Sequence, residues 1–400
     1  MKTRRHLLAT AALLGAATLV QPQMAVAQGE TIKVGLLLPF TGPGAYVAQG
    51  NLTAQRMAVK EINESGGLLG RQLEIVQADD QFDPTQAVNE ARRLTQQAKV
   101  SFMLGPVASN LALAVAPIMN EAKTLWFATA VAPVPSPVGF SGMMASSEQA
   151  AAMVGFAIDH LKAKSVAIVH DNGGASKALV EEFKKLVPAR GLELKGLQEH
   201  AMREADVTPQ LLSLRRTNPD VLLHASSTGE DAGQMLKNLG DIGWNIRIIS
   251  TTTAQATGGT LKVAGPDALK SGNIYGIVFK GLTHCASDKP GAGGFGSYLS
   301  RLRAFDAKAA ENMDARQAIY LFDAMLLAKS AIQATKSLDG PTLATWIETN
   351  GNTVKGVSGF PFGVKGSNHF MMGRDALTFV NRPDQQRPED KLVLRTIDCT

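Results

Sequence analysis

The chain has 400 residues, of which 45% are apolar and 19% charged, and its formal net charge is +5. This composition excludes a disordered or low-complexity chain, and scattered Lys and Arg without interleaved aromatic residues argue against a nucleic-acid partner. Lys2, Arg4 and Arg5 stand in the first few residues, and without them the charge falls to +2, too small to mark a partner by its sign.

In chain order the first segment is a leader. Basic residues precede an apolar run over 7–20, and Ala25-Val26-Ala27 offers an A-x-A cleavage site before Gln28. Such a pattern reads as an export signal over 1–27; the run is too short and too rich in small residues for a membrane span. Arg4-Arg5 leaves both the general secretory route and the twin-arginine route open. The expected location is the periplasm, with the mature chain beginning at Gln28. No cysteine stands directly after the cleavage site, where Gln28 is found, which argues against a lipid anchor.

The roughly 370 residues that follow are too many for one core and fit two lobes. Residues 32–38 read as a strand covered on both faces. A helix follows over 49–65, with Leu52, Val59 and Ile62 on one face and Gly66-Gly67 as its stop. Then come a strand over 72–78, a helix opened by Pro84, a strand over 102–104, a helix over 109–122 and a strand over 124–127. A second series runs helix 148–161, strand 166–170, helix 177–190 and strand 192–197. It continues with a helix opened by Thr208 as cap and Pro209, strand 221–225, helix 230–239 and strand 246–249. A further strand spans 274–279, and helical stretches lie within 294–311, 316–335 and 341–349. The expected fold class is α/β, with two doubly wound parallel-sheet lobes.

Open parallel sheets bind ligands beyond the carboxyl ends of their strands. In the first lobe those ends are 39–46, 105–110 and 128–132; in the second they are 171–176, 226–229 and 250–253. All six are small, polar or glycine-rich. Ser109 opens a helix, so its hydroxyl and the first-turn amides either cap that helix or meet an anion. Tyr46 either stacks on a ligand or covers the sheet end.

Gly42-Pro43-Gly44 lacks the third glycine of a dinucleotide fingerprint, Val47 standing in its place. The seven histidines are dispersed, so no metal site and no cofactor are expected. His170-Asp171 reads as a strand-end pair with a structural hydrogen bond, and Asp79, Asp80 and Asp83 as turn and cap residues. No group of residues supports catalysis. Cys285 and Cys399 are the two cysteines. They either pair, tying the tail to the body, or stay independent thiols.

Several of these segments together resemble the branched-chain amino-acid (leucine/isoleucine/valine) binding proteins, the type I solute-binding proteins of ABC transporters. Ile32-Lys33-Val34-Gly35 with Thr41-Gly42-Pro43 is similar to that family's opening. Val59-Lys60-Glu61-Ile62-Asn63 with Gly66-Gly67, the Asp79-Asp80 turn, and the strand Val166 to Asp171 follow in its order, and the likeness runs over about 31–380. The resemblance implies a hinge crossed by three chain segments, with 28–145 and 280–358 in lobe one and 146–279 and 359–400 in lobe two. It implies a monomer that delivers its ligand to an inner-membrane ABC permease. The ligand carboxylate would be gripped by Val107, Ala108, Ser109 and Asn110 and by Ala130, Val131 and Ala132, with Ser109 as the carboxylate serine.

Departures from the family shape the expected ligand. Ala132 stands at a ligand-contacting threonine, and Ala175 and Thr228 replace pocket aromatics. Thr252 falls at or near the acid that pairs with the ligand's ammonium; Glu230 or Asp231 would have to substitute. A buried ammonium without a carboxylate is costly. The expected ligand is therefore a small carboxylate, with an aromatic or related organic acid ahead of an α-amino acid. Alternatives are an amino-acid binding protein of the same importer class and a ligand-sensing subunit of a membrane receptor. A secreted enzyme is the least supported reading.

Overall fold

The computed structural model describes residues 30–42, 44–255, 257–291, 293–312, 315–357, 359–390 and 392–399. The leader read over 1–27 lies outside the described residues. Within them, no helix is long and apolar enough to cross a membrane.

The first sheet grows from the most apolar stretch of the chain. β1 (Ile32–Leu38) is almost wholly buried and pairs in parallel with β2 (Leu73–Asp79) on one side and β3 (Phe102–Leu104) on the other. α1 (Ala45–Glu64) links β1 to β2, and α2 (Pro84–Arg92) links β2 to β3. α3 (Ser109–Glu121), β4 (Leu125–Ala128) and β5 (Gly139–Ser141) complete the order β2-β1-β3-β4-β5, all parallel. Strand order reverses at β1, so the loops after β1 and β3 part to opposite faces and leave a crevice between them.

The second sheet repeats the plan. Its succession is α4 (Ser146–Asp159), β6 (Ser165–Asp171), α5 (Gly174–Ala189), β7 (Glu193–His200), α6 (Thr208–Arg216), β8 (Val221–Ala225), α7 (Gly229–Asp241), β9 (Arg247–Ser250), α8 (Thr257–Ala264) and β10 (Ile274–Phe279). The strands lie in the order β12-β10-β9-β8-β6-β7, where β12 (Leu377–Val380) is an antiparallel edge. Here the reversal falls at β6, between the loops after β6 and β8.

Between β10 and β12 the chain returns to the first sheet. β11 (Thr283–His284), α9 (Gly293–Phe305), α10 (Ala307–Asn312), α11 (Ala315–Thr335) and α12 (Gly340–Asn350) fill this excursion, and α9, α10 and α11 pack against α1. The lobes are thus joined after β5, after β10 and before β12. The first and third joins run side by side: Ser141 donates its amide to the His369 carbonyl at 2.9 Å and accepts from Met371 at 2.8 Å. His369 also stacks on Phe140 with centroids 4.3 Å apart.

The tail departs from the expected division of the chain. Beyond β12 it does not stay with the second sheet but folds back on the excursion. β13 (Val393–Leu394) pairs with β11, Asp390 accepts from the Gly291 amide at 3.1 Å, and Arg387 donates to the Asp288 carbonyl at 2.7 Å. Cys285 and Cys399 are joined by a disulfide, with Cα atoms 5.7 Å apart. The described residues from Arg387 to Cys399 thus contact β11, the loop after it and Arg303 of α9, although 359–400 was expected to stay with the second sheet.

Some element boundaries also differ. The helix expected over 294–311 is two helices, broken at Asp306. Thr208 is one residue inside α6, and Asp206 accepts its amide at 2.9 Å. α5 starts at Gly174, three residues early, because the glycines before Lys177 continue into the helix rather than a loop.

Candidate functional site

Backbone packing delivers the loop after β3 to the crevice. Gly105 has φ +98°, and a Cβ there would sit 1.9 Å from the Leu37 carbonyl oxygen. Only glycine allows the chain to cross so close to β1. α3 then begins at Ser109, preceded by Ala108, which has no side chain to cap the helix. Ser109 is not the cap its position suggested. Its Oγ accepts from the amides of Val131 at 3.2 Å and Ala132 at 3.4 Å. With both of those donors pointing in, the hydroxyl proton is left to donate elsewhere. First-turn amides and this hydroxyl together form a small anion-favouring corner.

The opposite wall is built from the loops of the second sheet. Asp171, fully buried at the end of β6, accepts from the Gly173 amide and the Ser227 hydroxyl, each at 2.8 Å, and from the Ser227 amide. It thereby laces the loop after β6 to the loop after β8. Gly173 must be glycine for this approach, since a Cβ would lie 2.1 Å from Ser227 Oγ. Ser176 and Ser227 hydroxyls lie 3.1 Å apart, and Thr253 Oγ1 is 2.5 Å from Ser226 Oγ and 2.6 Å from Thr251 Oγ1. Thr228 caps α7, accepting from the Asp231 amide at 3.2 Å and donating to its carboxylate at 2.6 Å.

Between these walls is a cleft of about 620 Å³, lined from both sheets and from the joins. Two charged side chains, Glu230 and Arg203, are among its described lining residues. Asp231 is committed, since besides Thr228 it accepts the Arg203 amide at 2.6 Å. Glu230 is half-buried and makes no hydrogen bond or ion pair among the described residues. Its carboxylate lies over Gly259, where a Cβ would meet it at 3.3 Å. Across the mouth, α3 touches α5.

The structure gathers many of the residues singled out in the sequence. Val107, Ala108, Ser109, Asn110, Val131, Ala175, Thr228 and Thr252 line the cleft. Ala130 and Ala132 do not. Ala130 is buried behind the wall with its amide on Ser141 Oγ at 3.1 Å, and Ala132 spends its amide on Ser109. The side chain of Tyr46 lies outside the described residues. Gln149, Met143, Tyr320 and Arg203 also line the cleft and were not foreseen. Gln149 was concealed by its spacing: Ser146-x-x-Gln149 reads as a helix-capping pair.

The remaining candidates serve the scaffold. His170 bonds through Nδ1 to the Asp171 carbonyl at 2.8 Å, and burial lowers its pKa. His224, beneath the cleft floor, is held near 3 by burial and so stays neutral, with Nδ1 2.8 Å from Ser250 Oγ. Asp79 accepts the Thr41 hydroxyl at 2.6 Å and Asp83 caps α2 through the Gln86 amide at 2.9 Å. Asp80 is pushed up to about 6 by burial, against the Phe82 amide that it accepts. No group of three or more metal-binding side chains is present among the described residues.

The family described as periplasmic binding protein matches residues 31–382. The Leu/Ile/Val-binding protein BraC3 of Rhizobium johnstonii is 29% identical over 256 residues, covering 60% of this chain and 69% of that protein. The Leu/Ile/Val-binding protein homolog 3 of Brucella melitensis is 26% identical over 239 residues, covering 57% and 64%. Among solved structures, a type 1 periplasmic binding protein from Bordetella pertussis superimposes with a TM-score of 0.75 at 21% identity, covering 88% of this chain and 96% of that one. The branched-chain amino acid transporter substrate binding protein LivJ of Streptococcus pneumoniae, in complex with isoleucine, gives 0.71 at 19% identity, covering 88% and 99%.

Proposed function

This chain belongs to the periplasmic binding protein family, and on that premise we propose that it captures a small amino acid in the periplasm for an inner-membrane ABC importer. The ligand's carboxylate meets the Ser109 hydroxyl and the first turn of α3. Its ammonium meets Glu230 on the opposite wall. The lobes close over it like a hinged trap. A leader over 1–27 that exports the chain and action as a monomer belong to the same reading.

The observation that carries this reading is Glu230. Sequence reasoning set the amino acid second because Thr252 stands where the family's acid is expected. The first turn of α7 supplies a carboxylate, Glu230, that lines the cleft and has no hydrogen bond or ion pair among the described residues. An unpaired, half-buried carboxylate facing a cleft suits a cationic group that completes it on binding. The relatives BraC3 and homolog 3, both Leu/Ile/Val-binding proteins by name, favour the same choice.

An aromatic or related organic acid is the second reading. It is supported by the small residues Ala175 and Thr228 on the wall and by a volume of about 620 Å³. Calorimetry with leucine, isoleucine and valine against benzoate-type acids separates the two. Binding of the amino acids is the expected result; binding of the aromatic acids alone overturns it.

A further inference from the structure

One carboxylate and one ammonium leave three features of the cleft without a use. Gln149, in the first turn of α4, is 4% exposed and lines the cleft. Its side-chain amide makes no hydrogen bond among the described residues. Arg203 is fixed at the wall through its backbone amide on Asp231 at 2.6 Å, and its guanidinium has no ion pair among the described residues. The third is the start of α5, a helix of 16 residues whose N-cap, Gly173, has no side chain to satisfy the first-turn amides. All three lie on elements of the second sheet, where α4 and α5 pack on one another.

An apolar branched side chain would leave the buried Gln149 side-chain amide unpaired once closure expels water, which is costly, and would give the exposed Arg203 guanidinium and the α5 turn no partner. A second oxyanion on the ligand satisfies all three. A guanidinium offers it a charged fork, the Gln149 amide offers N–H groups, and the uncapped turn of α5 offers backbone amides and the favourable end of a helix dipole. Glu230 does not repel it if it holds the α-ammonium. We propose that the ligand is an acidic amino acid, with its side-chain carboxylate bound by Arg203, Gln149 and the first turn of α5. This rests on the assignment of Ser109 and Glu230 to the α-carboxylate and α-ammonium.

The test is calorimetry on the chain from Gln28 onward with glutamate, aspartate, glutarate, leucine and benzoate. Glutamate or aspartate is expected to bind at least ~10-fold tighter than leucine, the worth of one charge-assisted hydrogen bond. Arg203→Ala and Gln149→Ala should each cut that preference, Arg203→Ala by roughly 10-fold or more, and Arg203→Lys should restore part of it. Thermal unfolding of each variant checks that the fold is intact. Leucine binding as tightly as both acidic amino acids overturns the inference while leaving the amino-acid reading in place. So does an Arg203→Ala variant that weakens every ligand by the same factor. Glutarate binding as tightly as glutamate keeps the second oxyanion and removes the ammonium assignment. Benzoate binding alone removes both.

Discussion

The amide of Val131 donates to the hydroxyl oxygen of Ser109 at 3.2 Å, across the gap between the loops after β4 and β3. Together with the Ala132 amide it turns Ser109 from a helix-capping residue into a donor aimed at the cleft. Ser109→Ala should therefore weaken carboxylate ligands by roughly 10–100-fold, the range for a hydrogen bond to a charged group. The melting temperature should fall only modestly: Val131 is half-exposed and water replaces its lost acceptor, whereas the buried Ala132 amide loses a long hydrogen bond. Calorimetry and thermal unfolding of the variant measure both, and an unaltered affinity would remove Ser109 from the site.

Glu230 has no hydrogen bond or ion pair among the described residues, so its replacement costs the fold little. Glu230→Gln should lower the affinity for amino acids by about 10-fold or more. Benzoate-type acids, which bring no ammonium, should bind as well or better. A fall that is equal for ligands with and without an amine would show that Glu230 shapes the wall but does not hold a cation.

Asp323 gives a signed pH dependence. It lies on α11, buried, accepting the Val357 amide at 2.7 Å, and burial pushes its carboxyl up to about 7 from the ordinary 3.8. Between those values the folded chain holds a proton that the unfolded chain has released. Its contribution is thus fully present below about pH 4 and is lost as pH rises towards about 7. The slope from one such group is at most about 1.4 kcal/mol per pH unit. Asp323→Asn keeps the acceptor for Val357 and should flatten this part of the profile. Urea unfolding of both proteins across pH 4.5–7.5 (roughly the window set by linkage) is the measurement, and parallel profiles would contradict the assignment.

The disulfide closes a long loop, since Cys285 and Cys399 are 114 residues apart. Its loss should lower stability by about 2–4 kcal/mol, chiefly by freeing the unfolded chain. Denaturant midpoints with and without reductant, and for Cys399→Ser, should shift together. Reduction without any shift would mean that the β11–β13 pairing and the Asp390 contacts already hold the tail without it.

Much of the fold was legible because its signals are local. Continuous apolar runs such as Ile32–Leu38 and Val221–Ala225 can only be strands buried on both faces, and their alternation with helices requires a wound sheet. Proline and aspartate marked helix starts, as at Pro84. The tail was not legible, because its placement depends on Asp390 meeting Gly291 and Cys399 meeting Cys285, contacts across about a hundred residues that no local pattern encodes.

The site was legible in its loops and less so in its side chains. Strand ends gave Val107 to Asn110, Ala175, Thr228 and Thr252, since a wound sheet places them by topology. Ala130 and Ala132 share a loop with Val131, yet they are held by Ser141 and Ser109 and do not line the cleft. Glu230 and Asp231 were equivalent in the sequence. The Thr228 cap and the Arg203 amide decide between them by engaging Asp231. Gln149 was hidden because a capping pair and a ligand contact look alike until the cleft is seen.

The backfolded tail has a practical consequence for watching the trap work. A dye on exposed Thr396 rides with the first lobe, although the polypeptide arrives there by way of the second. Paired with a second dye at exposed Leu212 on α6, it would turn the proposed lobe closure into a change in energy transfer that needs no labelled ligand.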